Sequence, residues 1–112
     1  LKIVHELIQA GRIPKLPIYT GGMSKRITKI YDRYADVVPR KEPGFLLKSI
    51  PLTYVKYETM MNGKFFNEPS IVIISSGMLN EGSPSYQLAQ RWMTMRNFGI
   101  GVMGYQDSST PG

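Results

Sequence analysis

Apolar side chains recur along the chain with the periods of helices and of short strands. In residues 1–8 they return every three or four positions, which predicts a helix that ends near Gly11. The same period from Met23 to Tyr34 predicts a second, amphipathic helix whose cationic side chains lie off the apolar stripe. The stripe consists of Met23, Ile27, Ile30, Tyr31 and Tyr34, and the cations are Lys25, Arg26, Lys29 and Arg33.

Four short runs predict strands, at residues 17–20, 52–56, 70–74 and 98–103. The third run has no polar alternation, so we expect a central strand that is buried on both faces. Two further helical elements are predicted, a turn at residues 45–47 and a short helix at residues 58–66 that breaks near Gly63.

The last helix is predicted to begin at Ser83 and Pro84, because serine caps helix N-termini and proline fits the first helical position. Its apolar stripe is predicted to hold Tyr86, Ala89, Trp92 and Met93. We expect Trp92 to anchor this helix against the sheet, and the stacking of a nucleic-acid base on its ring is the alternative.

Strands that alternate with helices require crossover connections, and these favour parallel pairing. We therefore predict a single α/β domain over residues 1–112. It is expected to have three layers, with a mostly parallel sheet of about four strands flanked by helices.

Composition excludes several kinds of chemistry. The chain has no cysteine and one histidine, which rules out the usual zinc and thiol sites, and the carboxylates show no metal-ligand spacing. A serine nucleophile needs a base, and His5 is expected to be a surface or packed residue of the first helix. We therefore expect no catalytic residue, no metal and no cofactor within these residues.

Positive charge is concentrated in the first half of the chain. Residues 1–56 carry eleven Lys and Arg against four Asp and Glu, whereas residues 57–112 carry three against four. A basic half favours a polyanion such as nucleic acid as the partner, and a solvated face that only aids solubility is the alternative.

Three of the predicted strands end in loops rich in glycine and hydroxyl groups. These loops begin at Thr20, at Ser75 and at Gly104. Parallel strands place such loops at one edge of the sheet, where backbone N–H groups suit phosphate. Ordinary turn chemistry is the alternative for each loop, and neither the P-loop nor the dinucleotide fingerprint is present.

The two ends of the sequence suggest a piece of a longer protein. The chain begins at Leu1 inside an apolar period, without a methionine or a signal-peptide pattern, and a trimmed protein is the alternative. No apolar run approaches the roughly 18 residues of a membrane span, so we expect no membrane partner. The absence of cysteine suits a reducing compartment, and the cytoplasm is the expected location.

Three ordered motifs resemble the β-CASP domain, which is inserted in nucleases of the metallo-β-lactamase fold. Residues 69–79, PSIVIISSGML, resemble its SSGM segment, and residues 97–106, NFGIGVMGYQ, resemble its GYQ stretch. Residues 17–19, PIY, followed by Ile30 and Tyr31, resemble its opening pattern. The resemblance extends over nearly the whole chain.

The resemblance implies an RNA- or DNA-processing enzyme similar to ribonuclease J or to the cleavage and polyadenylation endonuclease. In that family two zinc ions, held by the lactamase-fold domain, activate the water that attacks the phosphodiester, and the β-CASP domain closes over that site. The zinc ligands of the family map onto no residue here. We expect a domain that binds single-stranded nucleic acid, RNA rather than DNA, and cleaves nothing alone. The expected contacts are Ser75, Ser76, Gly77, Gln106 and Thr110 to phosphates, with attraction from Lys25, Arg26 and Lys29.

The sequence departs from the family pattern at three loops, which are Thr20 to Gly22, Ser83 to Tyr86 and Asp107 to Pro111. These loops lie at the strand edge that is expected to face the substrate, so they bear on which substrate is bound and on the activity of the parent enzyme. An interaction scaffold from an inactive family member, which contacts partner subunits, is therefore the alternative function.

Overall fold

The computed structural model describes residues 1–62, 67–75 and 78–111. It contains four α-helices, one 3₁₀ helix and three β-strands within these residues. In chain order they are α1 (Lys2–Gln9), β1 (Ile18–Gly21), α2 (Ser24–Arg33), the 3₁₀ helix (Leu47–Ser49), β2 (Leu52–Tyr54), α3 (Tyr57–Met61), β3 (Ile71–Ile74) and α4 (Pro84–Met93).

The three strands form one parallel sheet in the order β2-β1-β3. Ile18 lies beside Leu52 on one side and beside Ile71 on the other. The predicted α/β class with a parallel sheet flanked by helices is confirmed. The described part of the sheet has three strands, where about four were predicted. The central strand is β1, not β3, and the prediction for residues 70–74 is wrong on this point.

The burial of the strands follows from that order. Ile18 and Thr20 of β1 are fully covered, whereas each residue of β3 is only half-buried. The uniformly apolar sequence of β3 therefore does not mark the centre of the sheet. It marks an edge strand whose two faces are both partly covered.

The predicted last strand, residues 98–103, is not formed. Its first residue, Phe98, instead stacks on the indole of Trp92, with ring centroids 5.5 Å apart. The residues that follow border a cavity of about 250 Å³ beside β3 without pairing with that strand. Gly99 and Gly101 weaken a strand because they provide no side chain to pack, which is consistent with this outcome.

The α2 helix is formed as predicted, but its apolar stripe faces solvent. Exposed fractions along that stripe run from 40% at Ile27 to 64% at Met23. The helix packs inward through the small side chain of Thr28, which donates its hydroxyl proton to the Ser24 carbonyl (2.7 Å). Short side chains on the inner face let α2 approach β1 and the 3₁₀ helix, and this leaves the larger apolar side chains outside.

The core lies between the sheet and the pair α3 and α4. Met60 of α3 and Leu88 and Trp92 of α4 form a buried cluster. Val72 and Ile74 of β3 pack against it from one face of the sheet. The predicted burial of Ala89 and Trp92 is confirmed, whereas Met93 is 73% exposed, because the inward stripe of α4 runs through Ser85 and Leu88.

Local signals at the helix ends have mixed outcomes. The Ser83 hydroxyl accepts the backbone N–H of Tyr86 (3.2 Å) and Pro84 opens α4, as predicted. The helix predicted at residues 58–66 is formed only as α3, and residues 63–66 lie outside the described part of the chain. The turn predicted at 45–47 is found two residues later, as the 3₁₀ helix.

Asp32 joins α2 to the 3₁₀ helix. Its carboxylate oxygens accept the backbone N–H groups of Leu47 (2.7 Å) and Lys48 (2.8 Å). These bonds satisfy two N–H donors at the start of a short helix, which otherwise have no partner within it.

Replacement of Asp32 by asparagine is expected to lower the free energy of unfolding by about 1–2 kcal/mol. The amide keeps one acceptor oxygen but loses the charge and presents an N–H₂ group to a backbone donor. Urea denaturation measures the change, and Asp36→Asn, at an exposed position just after α2, is the matched control. Equal losses in the two variants would contradict the role assigned to Asp32.

Candidate nucleic-acid interface

The carboxyl ends of the three strands bring together segments that are distant in the sequence. Gly21 lies beside Ile74 in the register of β1 and β3, and Thr20 lies beside Tyr54 of β2. The backbone N–H of Val55 donates to the Thr20 carbonyl (2.8 Å), so pairing continues one residue beyond β2. The edge therefore presents Gly22 and Ser75 next to each other, as the parallel topology predicts.

Tyr57 completes this edge. Its hydroxyl donates a long hydrogen bond to the Ser75 carbonyl (3.5 Å). Burial raises the pKa of the Tyr57 phenol above its ordinary value, and the hydrogen bond to Ser75 partly opposes that rise. The phenol is therefore protonated at neutral pH and acts as a donor at the edge. Tyr57 was not among the predicted site residues, although its position directly after the strand predicted at residues 52–56 is the signal that could have identified it.

Gly22 lies between these two side chains. Its φ of +66° belongs to the left-handed region, and a Cβ there would lie 2.5 Å from the Tyr57 hydroxyl oxygen and 3.1 Å from Ser75 Oγ. Only glycine fits both the backbone conformation and the space. Gly22 itself is exposed at this edge of the sheet.

The predicted contacts Ser76 and Gly77 lie outside the described residues. Ser75, which precedes them, is half-buried at the end of β3. The next loop supplies the Ser83 cap of α4, and the Ser83 and Ser85 hydroxyls lie 2.9 Å apart. Turn and cap chemistry therefore accounts for Ser83.

Gln106 and Thr110 make local contacts. Gln106 Nε2 donates to the Gly104 carbonyl (3.4 Å), and the Thr110 hydroxyl donates to the Asp107 carbonyl (2.8 Å). The Ser109 hydroxyl and N–H both donate to the Asp107 carboxylate, which holds the pKa of that carboxyl below its usual value. Gln106 Oε1 is shielded from solvent and has no hydrogen-bond partner within the described parts of the chain. The strand predicted at residues 98–103 is not formed. The loop that begins at Gly104 is therefore not carried by a β-strand to the edge that holds Ser75.

The predicted cations begin next to the same edge, on α2. Lys25 Nζ lies 5.6 Å from the centroid of the Tyr54 ring, at the carboxyl end of β2. Lys25 and Lys29 share one side of the helix, since they are four residues apart, and both line a cavity against β2. Arg26 is exposed on the helix and does not line that cavity.

The described residues hold no catalytic or metal arrangement of side chains. Within residues 1–62, 67–75 and 78–111, no three His, Cys, Asp or Glu side chains come close enough to hold a metal ion. His5 is half-buried in α1. None of the helices in the described parts has the length and hydropathy of a membrane span.

The described residues form a parallel α/β sheet whose carboxyl edge is polar and contains glycine, the kind of edge at which open α/β sheets bind ligands. The family model of the Beta-Casp domain matches residues 1–112, the whole chain, and the chain belongs to this family. It is thus a domain associated with nucleases of the metallo-β-lactamase fold. Neither the comparison with curated proteins nor that with solved structures gives a significant match.

Proposed function

We propose that this domain binds single-stranded RNA as the lid of a zinc-dependent nuclease that processes RNA in the cytoplasm. The observation that supports this most is the juxtaposition of Gly22, Ser75 and Tyr57 at the sheet edge from which the basic helix α2 starts. Backbone and hydroxyl donors there suit phosphate oxygens, and the net charge of +6 favours a polyanion.

The proposed contacts divide into two groups with different tasks. Lys25, Arg26 and Lys29 attract the phosphate backbone through charge. The polar groups position the nucleic-acid strand. They belong to Ser75, Ser76, Gly77, Gln106 and Thr110. We propose RNA over DNA because the resemblance described above is to RNA-processing nucleases such as ribonuclease J.

The cleavage chemistry is assigned to the metallo-β-lactamase domain with which this family associates. The described residues do not fit a zinc ion, since no group of metal-ligating side chains converges among them. The two zinc ions of the parent enzyme are therefore proposed to be held outside this chain.

The binding proposal is tested with a fluorescein-labelled dodecauridylate and fluorescence anisotropy over a salt series. We expect a dissociation constant of about 10⁻⁶–10⁻⁴ M and a weaker interaction with the matching deoxy oligomer. The triple variant Lys25→Gln, Arg26→Gln, Lys29→Gln is expected to reduce the slope of log K against log salt by about 2, since each single-strand phosphate contributes about 0.7.

Arg91→Gln, which removes one positive charge away from α2, is the control for this experiment, because Arg91 is exposed on α4 in the second half of the chain. It is expected to leave the salt slope nearly unchanged. No binding by the original chain, or equal slopes in all three proteins, would overturn the proposal.

The exposed stripe of α2 supports a second candidate function, that of an interaction scaffold. Five large apolar side chains on one helix face, from Met23 to Tyr34, are at least 40% exposed, and such patches mark protein interfaces. The zinc-ligand motif His-x-His-x-Asp-His in the flanking parts of the parent protein discriminates the two functions. Its presence supports the nuclease, and substituted ligands support the scaffold.

A further inference from the structure

A basic cavity of about 250 Å³ lies between α2 and the outer strand β2, apart from the glycine and serine loops. Three separate elements contribute to it. Helix α2 provides Lys25 and Lys29, the 3₁₀ helix provides Lys48, and β2 provides Tyr54. Neither Lys48 nor Tyr54 belongs to a motif that the sequence analysis singled out.

The cavity carries an excess of positive charge. Its one carboxylate, Asp32, already accepts two backbone N–H groups from the 3₁₀ helix. No salt bridge to any of the three lysines occurs in the part of the chain that the structure describes. Three lysine side chains against one carboxylate give the lining of the cavity a net positive charge, which attracts an anion.

Tyr54 adds an aromatic surface at the mouth of this cavity. Its side chain is 39% exposed, and Lys25 Nζ lies over its ring. A phenol ring beside lysines is the combination with which proteins hold an unpaired base and its phosphate together. A base-paired strand offers no free base face, so the combination selects single strands.

The position of Tyr54 links the cavity to the glycine and serine edge. Tyr54 lies beside Thr20 of β1, and Ser75 follows the strand on the other side of β1. Two strand spacings, about 10 Å, therefore separate Tyr54 from Ile73, and Ser75 lies two residues beyond Ile73. A nucleic-acid strand that contacts Ser75 can continue across the end of β1 to the cavity.

We propose that Lys25, Lys29, Lys48 and Tyr54 form a subsite that holds one phosphate and one unpaired base of a single-stranded polynucleotide. This inference rests on the proposed nucleic-acid function and adds a specific site to it. The phosphate lies among the lysines and the base stacks on Tyr54. Asp32 positions Lys48 by fixing the 3₁₀ helix.

The test compares Lys48→Gln with Arg33→Gln in the dodecauridylate assay. Both variants remove one exposed positive charge, and Arg33 ends α2 without lining the cavity. We expect Lys48→Gln to weaken binding about three- to tenfold at low salt, and Arg33→Gln to weaken it less than about twofold. Circular dichroism checks that both variants are folded.

Tyr54→Leu separates base stacking from charge. It is expected to weaken binding of the dodecauridylate about fivefold and to leave an abasic oligomer of equal length unaffected. Millimolar inorganic pyrophosphate is expected to compete poorly, because it offers no base. Competition by pyrophosphate as strong as that by the oligomer would reveal a free-phosphate site and overturn the proposal.

The outcomes separate this inference from the proposed function. If the original chain binds the oligomer but Lys48→Gln behaves like Arg33→Gln and Tyr54→Leu has no effect, the subsite is overturned and the proposed function stands. If the original chain binds no oligomer, both are overturned.

Discussion

Replacement of Trp92 by alanine is expected to lower the free energy of unfolding by about 3–5 kcal/mol. The indole is 7% exposed and belongs to the buried cluster with Met60 and Leu88. It also stacks on Phe98 with an interplanar angle of 12°. The substitution leaves a large void beneath α4 and removes the aromatic contact that holds the segment after that helix.

Urea denaturation followed by circular dichroism measures this loss. Tyr105→Ala removes another aromatic ring, at a position that is 77% exposed, and is expected to change stability by less than about 0.5 kcal/mol. Trp92→Phe keeps part of the ring volume and is expected to lie between the two. A Trp92→Ala protein as stable as Tyr105→Ala would show that the indole does not anchor α4.

The burial of Trp92 also decides between the two roles that the sequence left open. A ring that stacks on nucleic-acid bases must present a face to solvent, and the faces of Trp92 are used by the core and by Phe98. The structure therefore assigns Trp92 to the anchoring of α4. The exposed ring at the sheet edge is that of Tyr54 instead.

Local signals predicted the elements that depend on few neighbours. The Ser83 and Pro84 cap, the helix before Gly11 and the run ended by Gly21 all appear where the sequence places them. A cap or a turn is decided by hydrogen bonds within a few residues, so its sequence signature is reliable. The parallel topology followed from the same elements, because only crossover connections fit the order of helices and strands.

Predictions that depended on distant neighbours were less successful. An apolar stripe such as that of α2 from Met23 to Tyr34 is typical of an inward face, but the 3₁₀ helix, held by Asp32, packs on the other side. The strand order of the sheet cannot be read from hydropathy, and residues 70–74 were wrongly placed at its centre. Residues 98–103 have a strand pattern, yet Phe98 stacks on Trp92 and the strand is not formed.

The candidate site likewise has features that the sequence predicts and features that depend on tertiary packing. The sequence predicted that the loops after β1 and β3 meet, because parallel strands end on one edge, and Gly22 does lie against Ser75. It did not predict Lys48 or Tyr54, since these side chains reach the cavity only through tertiary packing. Tyr57 was missed although it directly follows a predicted strand.

Gly22 is the position at which the sheet edge is most sensitive to an added methyl group. Gly22→Ala is expected to cost about 2–4 kcal/mol of unfolding free energy, which combines the strain of a left-handed residue with overpacking against Tyr57 and Ser75. Since these groups shape the proposed contact surface, weaker binding of the dodecauridylate is expected as well.

Two other glycines separate the two causes. Gly11 has a similar φ of +65° but nothing within 4 Å of an added Cβ, so Gly11→Ala is expected to cost only the strain, about 1–2 kcal/mol. Gly44 has open space and no positive φ, so Gly44→Ala is expected to be neutral or slightly stabilising. Urea denaturation of the three variants should give the order Gly22, Gly11, Gly44 from the largest loss to the smallest. Equal losses for Gly22→Ala and Gly11→Ala would show that Tyr57 and Ser75 move aside freely, and the edge would then lack the rigid arrangement on which the proposed contact with RNA depends.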